Sequence, residues 1–165
     1  MASILKTDKI EGVTASGTVQ MPAGHVIQTV KVQQIFSEVT TTGTSYVDSN
    51  MALAITPKFA SSTILFLARA WTSINQSSGG INMQVTRTIS GGSATNFEGG
   101  HISIAEYAQT SGPSYREESK QFMCFDTPNT TTATTYTITF KSGGGTARVG
   151  VSNRTGTIII QEIAQ

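Results

Sequence analysis

Residues 46–70 read YVDSNMALAITPKFASSTILFLARA, and this stretch decides the fold class. A β-capable run leads into a turn around Pro57, and a second run, apolar at nearly every position from Ile64, continues to Trp71. Proline fixes φ and removes a backbone donor, so Pro57 ends the first run. The second run has the pattern of a strand buried on both faces. Asp48 and Pro57 read as turn residues, and the two runs as the core strand pair of a sandwich.

The same period of two extends outward in both directions. Residues 26–36 place Val26, Gln28, Val30 and Val32 on one face, with a bulge or bend needed to let Ile35 and Phe36 both pack. Ile81, Met83 and Val85 alternate with Asn82, Gln84 and Thr86; Tyr136, Ile138 and Phe140 alternate with Thr135, Thr137 and Thr139. In residues 115–125 the run EESKQF suits a helical turn, but MCF before Asp126-Thr-Pro128 favours a strand. Gly143, Gly144 and Gly145 give a hairpin signal, and TIIIQEIAQ (residues 157–165) reads as a further strand. No apolar pattern of period 3.6 persists, and there is no internal repeat or heptad run. The series predicts an all-β fold, an antiparallel β-sandwich or jelly roll of roughly eight to ten strands.

Residues 1–24 contain too few large apolar groups for a core and end on the turn signal Pro22-Ala23-Gly24. They read as an extended N-terminal arm for attachment or subunit exchange, with Ile4, Leu5, Ile10 and Val13 as its anchoring residues. Residues 25–165 form the sandwich domain.

The chain has 165 residues, a net charge of +1 and only 13% charged residues, about half the usual share. No window clusters Lys and Arg, which argues against a nucleic-acid partner. A charge-poor, Thr-rich surface suits association, because charge normally keeps proteins apart. Cys124 is the single cysteine and lies in FMCF, so it reads as a buried hydrophobe without disulfide or metal role. No apolar run is long enough to span a membrane, and MASILKTDKI lacks the apolar core of a secretory signal. The expected product is made in a cytoplasm and is not inserted into a membrane.

Chemistry is hard to find. His25 and His101 each sit at a strand start, and no G-x-S-x-G elbow exists. Asp48, Glu98, Glu106, Glu117, Glu118 and Asp126 are the carboxylates a glycosidase would draw on, but none stands in a motif. The Gly-rich GGSATNFEGG and SGGGT lack the Lys-Ser/Thr ending of a phosphate loop. The chain therefore reads as non-enzymatic and without cofactor or metal. Two long loops, residues 90–100 and 108–114, carry or adjoin Phe97, Tyr107 and Tyr115; these aromatics suit either a subunit interface or a stacked sugar.

The wording of three segments resembles small virion structural proteins of tailed bacteriophages, of tail-fibre or tail-appendage type, especially those of marine phages. They are YVDSNMALAITPKFASSTILF, the closing TIIIQEIAQ, and MPAGHVIQTV (residues 21–30), which looks like a "PAG-x-V-x-Q" entry. The likeness covers about residues 1–70 and 133–165 and carries no functional residue. It implies a virion location and a homotrimer in a tail fibre or other appendage, with the arm docking onto a neighbouring virion protein. A capsid decoration protein on the head surface is the alternative, and a receptor- or glycan-binding tip a further one, with a host surface glycan as partner.

Overall fold

The computed structural model describes residues 22–75, 78–108 and 115–165, with side chains described for residues 22–75, 80–97 and 117–165. The arm, with Ile4, Leu5, Ile10 and Val13, lies outside the described residues except for its last turn. The described strands are β1 (Val26–Ile35), β2 (Val39–Thr41), β3 (Val47–Ile55), β4 (Thr63–Asn75), β5 (Ser78–Ile89), β6 (Thr95–Ala108), β7 (Tyr115–Asp126), β8 (Thr134–Ser142), β9 (Thr146–Val149) and β10 (Thr155–Ile163).

These strands make two antiparallel sheets. In the first, β4 pairs with β7 along one edge; along its other edge it pairs with β10 at residues 63–69 and with β9 at residues 72–75. β1 then pairs with β10, and β2 with β9. The second sheet runs β3-β8-β5-β6. β1/β2 and β9/β10 are thus two interrupted strands, each counting once, which leaves eight. Their order is first-eighth-third-sixth in one sheet and second-seventh-fourth-fifth in the other. That is a jelly roll.

The interruption has a local cause. Gly150 turns the chain from β9 into the short 3-10 segment Val151–Asn153 with φ 81°, a left-handed conformation that glycine tolerates. Its N–H donates to the Trp71 carbonyl at 2.9 Å. A Cβ here would lie 2.9 Å from the Ser37 carbonyl oxygen and 3.0 Å from that of Phe36, so the β1–β2 break passes directly over it.

The core lies between the sheets. β4 sends in Ile64, Phe66, Ala68 and Ala70; β8 sends Tyr136, Ile138 and Phe140; β5 sends Ile81, Met83 and Val85; β10 sends Ile158 and Ile160. Full burial of each large side chain contributes about 1.5–3 kcal/mol. The alternation expected for β5 and β8 holds, with Gln84 and Thr86 also buried.

Several local expectations are corrected. β4 is not buried on both faces: Leu65, Leu67 and Trp71 are half-buried on its outer side and Arg69 is exposed. β3 and β4 belong to opposite sheets and do not pair: across the core β3 lies against β1 and β10, and β4 against β5. Gly143 to Gly145 make no hairpin, because β8 and β9 also lie in different sheets. Residues 95–100 are strand, not loop. Asp48 sits within a bulge of β3, where its Oδ1 accepts the N–H of Asn50 (2.7 Å), itself at φ 62°. Phe36 is buried but Ile35 is 56% exposed, since β1 ends there instead of bulging.

Candidate functional site

The outer face of the first sheet carries a surface that the core does not use. Phe125 lies opposite Leu65, and Met123 opposite Leu67, in the β7–β4 register; Leu67 in turn lies opposite Ile159 of β10. Directly opposed residues in an antiparallel pair share a face. Met123 is 67% exposed and Phe125 52%, while Leu65, Leu67 and Ile159 are half-buried beside them. A shallow groove of about 320 Å³ runs along this row between Met123 and Ile159, over Leu67.

Polar groups bound the patch. On one side stand Gln121, Arg69 and Thr157, with Arg69 donating to the Thr155 carbonyl at 3.3 Å. Beyond them Arg154 lies over the Trp71 ring, 4.3 Å from its centroid, and pairs with Glu117 at 3.2 Å. Towards β1 the face turns to Thr29, Lys31 and Gln33. An apolar centre with a polar rim is the anatomy of an interface. The signal for it was present in the sequence: Met123-Cys124-Phe125 and the isoleucines 158–160 are apolar at consecutive positions, so each strand offers apolar groups to both faces.

At one edge Phe125 also borders a second feature, an open depression of about 470 Å³ lined by Arg87, Asn96, Phe97, Phe125, Asp126 and Thr127. Its floor is an inter-sheet link. Arg87 Nη1 donates to both oxygens of Asp126 (2.7 and 2.9 Å), and the Tyr136 hydroxyl donates to Asp126 Oδ2 at 2.7 Å. Arg87 Nε is buried with no protein partner. Burial, and then the hydrogen bond and charge of Asp126, push the Tyr136 hydroxyl well above its ordinary range. Burial, then Asp126, also pushes the Cys124 thiol up to about 11.

Of the aromatics singled out in the sequence, Phe97 lies on β6, half-buried, edge-on to Tyr136 with ring centroids 5.9 Å apart. Tyr107 is at the far end of β6, opposite Gly79, and Tyr115 opens β7 opposite Asn75. The strands thus place Phe97 at the depression and the other two backbones elsewhere; the side chains of Tyr107 and Tyr115 lie outside the described ones.

The described carboxylates have structural partners rather than a facing partner of their own kind. Glu117 holds Arg154 and the Ser152 hydroxyl, Glu118 holds Lys120, and Asp126 holds Arg87 and Tyr136. Among the described residues no three His, Cys, Asp or Glu side chains gather as a metal site. His25 is exposed, its Nδ1 2.9 Å from the Pro22 carbonyl oxygen; the His101, Glu98 and Glu106 side chains lie outside the described ones.

The three segments quoted for their wording meet at one buried carboxylate. Glu162 Oε1 accepts from the backbone N–H of Lys58 (2.8 Å) and Phe59 (3.1 Å) and from the Ser62 hydroxyl (2.7 Å). Its Oε2 accepts from Gln28 Nε2 at 2.6 Å, and that amide also donates to the Thr56 carbonyl. These segments therefore carry one structural lock.

No known family profile and no curated protein sequence matches the chain. Among solved structures, a chain of the infectious bursal disease virus Gx strain is 11% identical, with a TM-score of 0.45, covering 100% of this chain and 42% of that one. The VP2 subviral particle of the same virus gives 12% identity and a TM-score of 0.41, covering 100% and 43%. A structure described as "CBM4 structure and function" gives 11% identity and a TM-score of 0.26, covering 81% and 92%. This chain spans less than half the length of the two viral chains, and a likeness this distant adds nothing to the jelly-roll topology read from the strands themselves.

Proposed function

We propose that this protein is a non-enzymatic structural component of a tailed-phage virion, a homotrimer in a tail fibre or other tail appendage whose arm docks onto a neighbouring virion protein. The observation that carries the reading is the uncovered apolar face of Leu65, Leu67, Met123, Phe125 and Ile159 on a charge-poor jelly roll. A surface with an apolar centre and polar rim is stabilised by association, not by water. The resemblance to tailed-phage virion proteins supplies the virion class, and its segments converge on one structural unit around Glu162. Jelly rolls serve capsid proteins and lectins alike, so the fold by itself does not choose the role.

Copy counting in purified particles tests the placement. A number matching the tail symmetry is expected; a number matching the capsid lattice overturns it in favour of a head decoration protein. Light scattering on the purified protein tests the assembly, and a stable monomer overturns the homotrimer.

The depression at Arg87, Asn96, Phe97 and Phe125 favours a second reading, a glycan-binding tip. The Phe97 and Phe125 rings beside the Asn96 amide are groups that hold sugars. Binding on a glycan array that Phe125→Ala abolishes supports this reading, and an array without signal retires it.

A further inference from the structure

Residues 1–21 enter the described fold at Pro22, at a fixed corner of the first sheet. The His25 N–H donates to the Pro22 carbonyl (3.3 Å), the Gly24 N–H to the Ala164 carbonyl (2.8 Å), and the Ala164 N–H to the His25 carbonyl (2.9 Å). The strand that follows, β1, is one edge of the sheet, whereas β7, with Met123 and Phe125, is the opposite edge. Between the two, the outer face of β1 presents Thr29, Lys31 and Gln33. The corner at Pro22 therefore adjoins polar groups of its own subunit, and the apolar acceptor lies at the opposite edge of the sheet.

Length is no obstacle. Extended, these residues reach up to about 70 Å, several times the roughly 15 Å width of their own four-strand sheet and long enough to pass beyond their own subunit. Ile4, Leu5, Ile10 and Val13 give the segment a few apolar side chains, too few for a core but enough to fill a shallow groove such as that over Leu67.

We propose that residues 1–21 dock on the outer apolar face of a neighbouring copy, covering Leu65, Leu67, Met123, Phe125 and Ile159. A donor segment at one edge and an acceptor at the other make a head-to-tail contact, which closes into a ring when the rotation permits. The inference rests on the homo-oligomer proposed above and takes a second copy of this chain as the neighbouring virion protein that receives the arm.

The test uses the full chain with photoreactive benzoylphenylalanine in place of Phe125, co-assembled from light- and heavy-nitrogen-labelled copies. Irradiation is expected to join position 125 to a peptide from residues 1–21 with mixed labels. Cross-links of one label only, or none to residues 1–21, overturn the proposal. A second arm uses the double variant Met123→Gln, Phe125→Thr, whose changes fall on exposed positions of an edge strand. Tryptic cleavage after Lys6 and Lys9 is expected several-fold faster than in the parent; equal rates overturn the docking. Equal rates in a chain that remains trimeric sink this inference alone, while a monomeric parent sinks the oligomer with it.

Discussion

The Ser62 hydroxyl donates to Glu162 Oε1 across 2.7 Å, and this contact fastens the β3–β4 connection to β10. Glu162 is 0% exposed and Ser62 1%. A carboxylate removed from water in this way is tolerated because the donors around it replace the hydration it has lost. Gln28 ties β1 into the same point through Oε2, so residues distant in sequence share one acceptor.

Glu162→Ala leaves those donors without their acceptor and is expected to destabilise the fold by about 2–4 kcal/mol, measured by denaturant unfolding. Ser62→Ala should cost about 1 kcal/mol. Lys58→Ala should be close to neutral, because Lys58 donates through its backbone N–H. A large loss with Lys58→Ala would mean that its side chain, not the backbone, supports the carboxylate.

Gly150 and Gly24 both have positive φ, 81° and 86°, yet they differ in surroundings. A Cβ at Gly24 meets nothing within 4 Å, whereas at Gly150 it runs into the carbonyls of Ser37 and Phe36. Gly24→Ala should therefore cost about 1 kcal/mol, the left-handed penalty alone. Gly150→Ala should exceed it by a further 1 kcal/mol or more, on the order of other strained sites. Equal losses in thermal unfolding would show that the β1–β2 break moves aside freely.

Arg87, Asp126 and Tyr136 join the two sheets, so their losses should not add. Tyr136→Phe removes one hydrogen bond and is expected to cost about 1–2 kcal/mol. Asp126→Ala strands the Arg87 charge and should cost about 3–5 kcal/mol. In the double variant the two effects should fall short of their sum by about 0.5–3 kcal/mol. Strict additivity in denaturant titrations would mean that the Tyr136–Asp126 contact contributes nothing.

Alkaline pH should unfold the protein through groups held neutral inside it. The Cys124 thiol, raised to about 11, and the Tyr136 hydroxyl, raised further, stay protonated in the fold while the unfolded chain ionises them at their ordinary values. The unfolded state then binds fewer protons, so stability is full below pH ~8.5 and falls as pH rises from there towards 11. Unfolding midpoints measured across that range check the sign. Alkylation of Cys124 at neutral pH should be slow in the native protein and fast in denaturant, as a protonated, buried thiol requires.

Most strands and most inner faces are legible in the residue order. Ile81, Met83 and Val85, or Tyr136, Ile138 and Phe140, announce their inward side because a strand alternates with period two, a property each segment carries alone. The residue order also marks Pro57 as a place where a strand must stop, whereas the break at Gly150 shows only in the fold. Which strands pair emerges with the closed fold, because pairing is a contact between residues far apart in sequence: β3 meets β8 and β4 meets β7 and β10, whereas neighbours such as β3 and β4 or β8 and β9 part into opposite sheets. For the same reason Glu162, Ser62 and Gln28 read as unrelated polar residues until the roll closes around them. The apolar residues Met123 and Phe125, indistinguishable from core by composition, prove to lie outside it, since alternation fixes two faces of a strand but burial of a face depends on whether another sheet covers it.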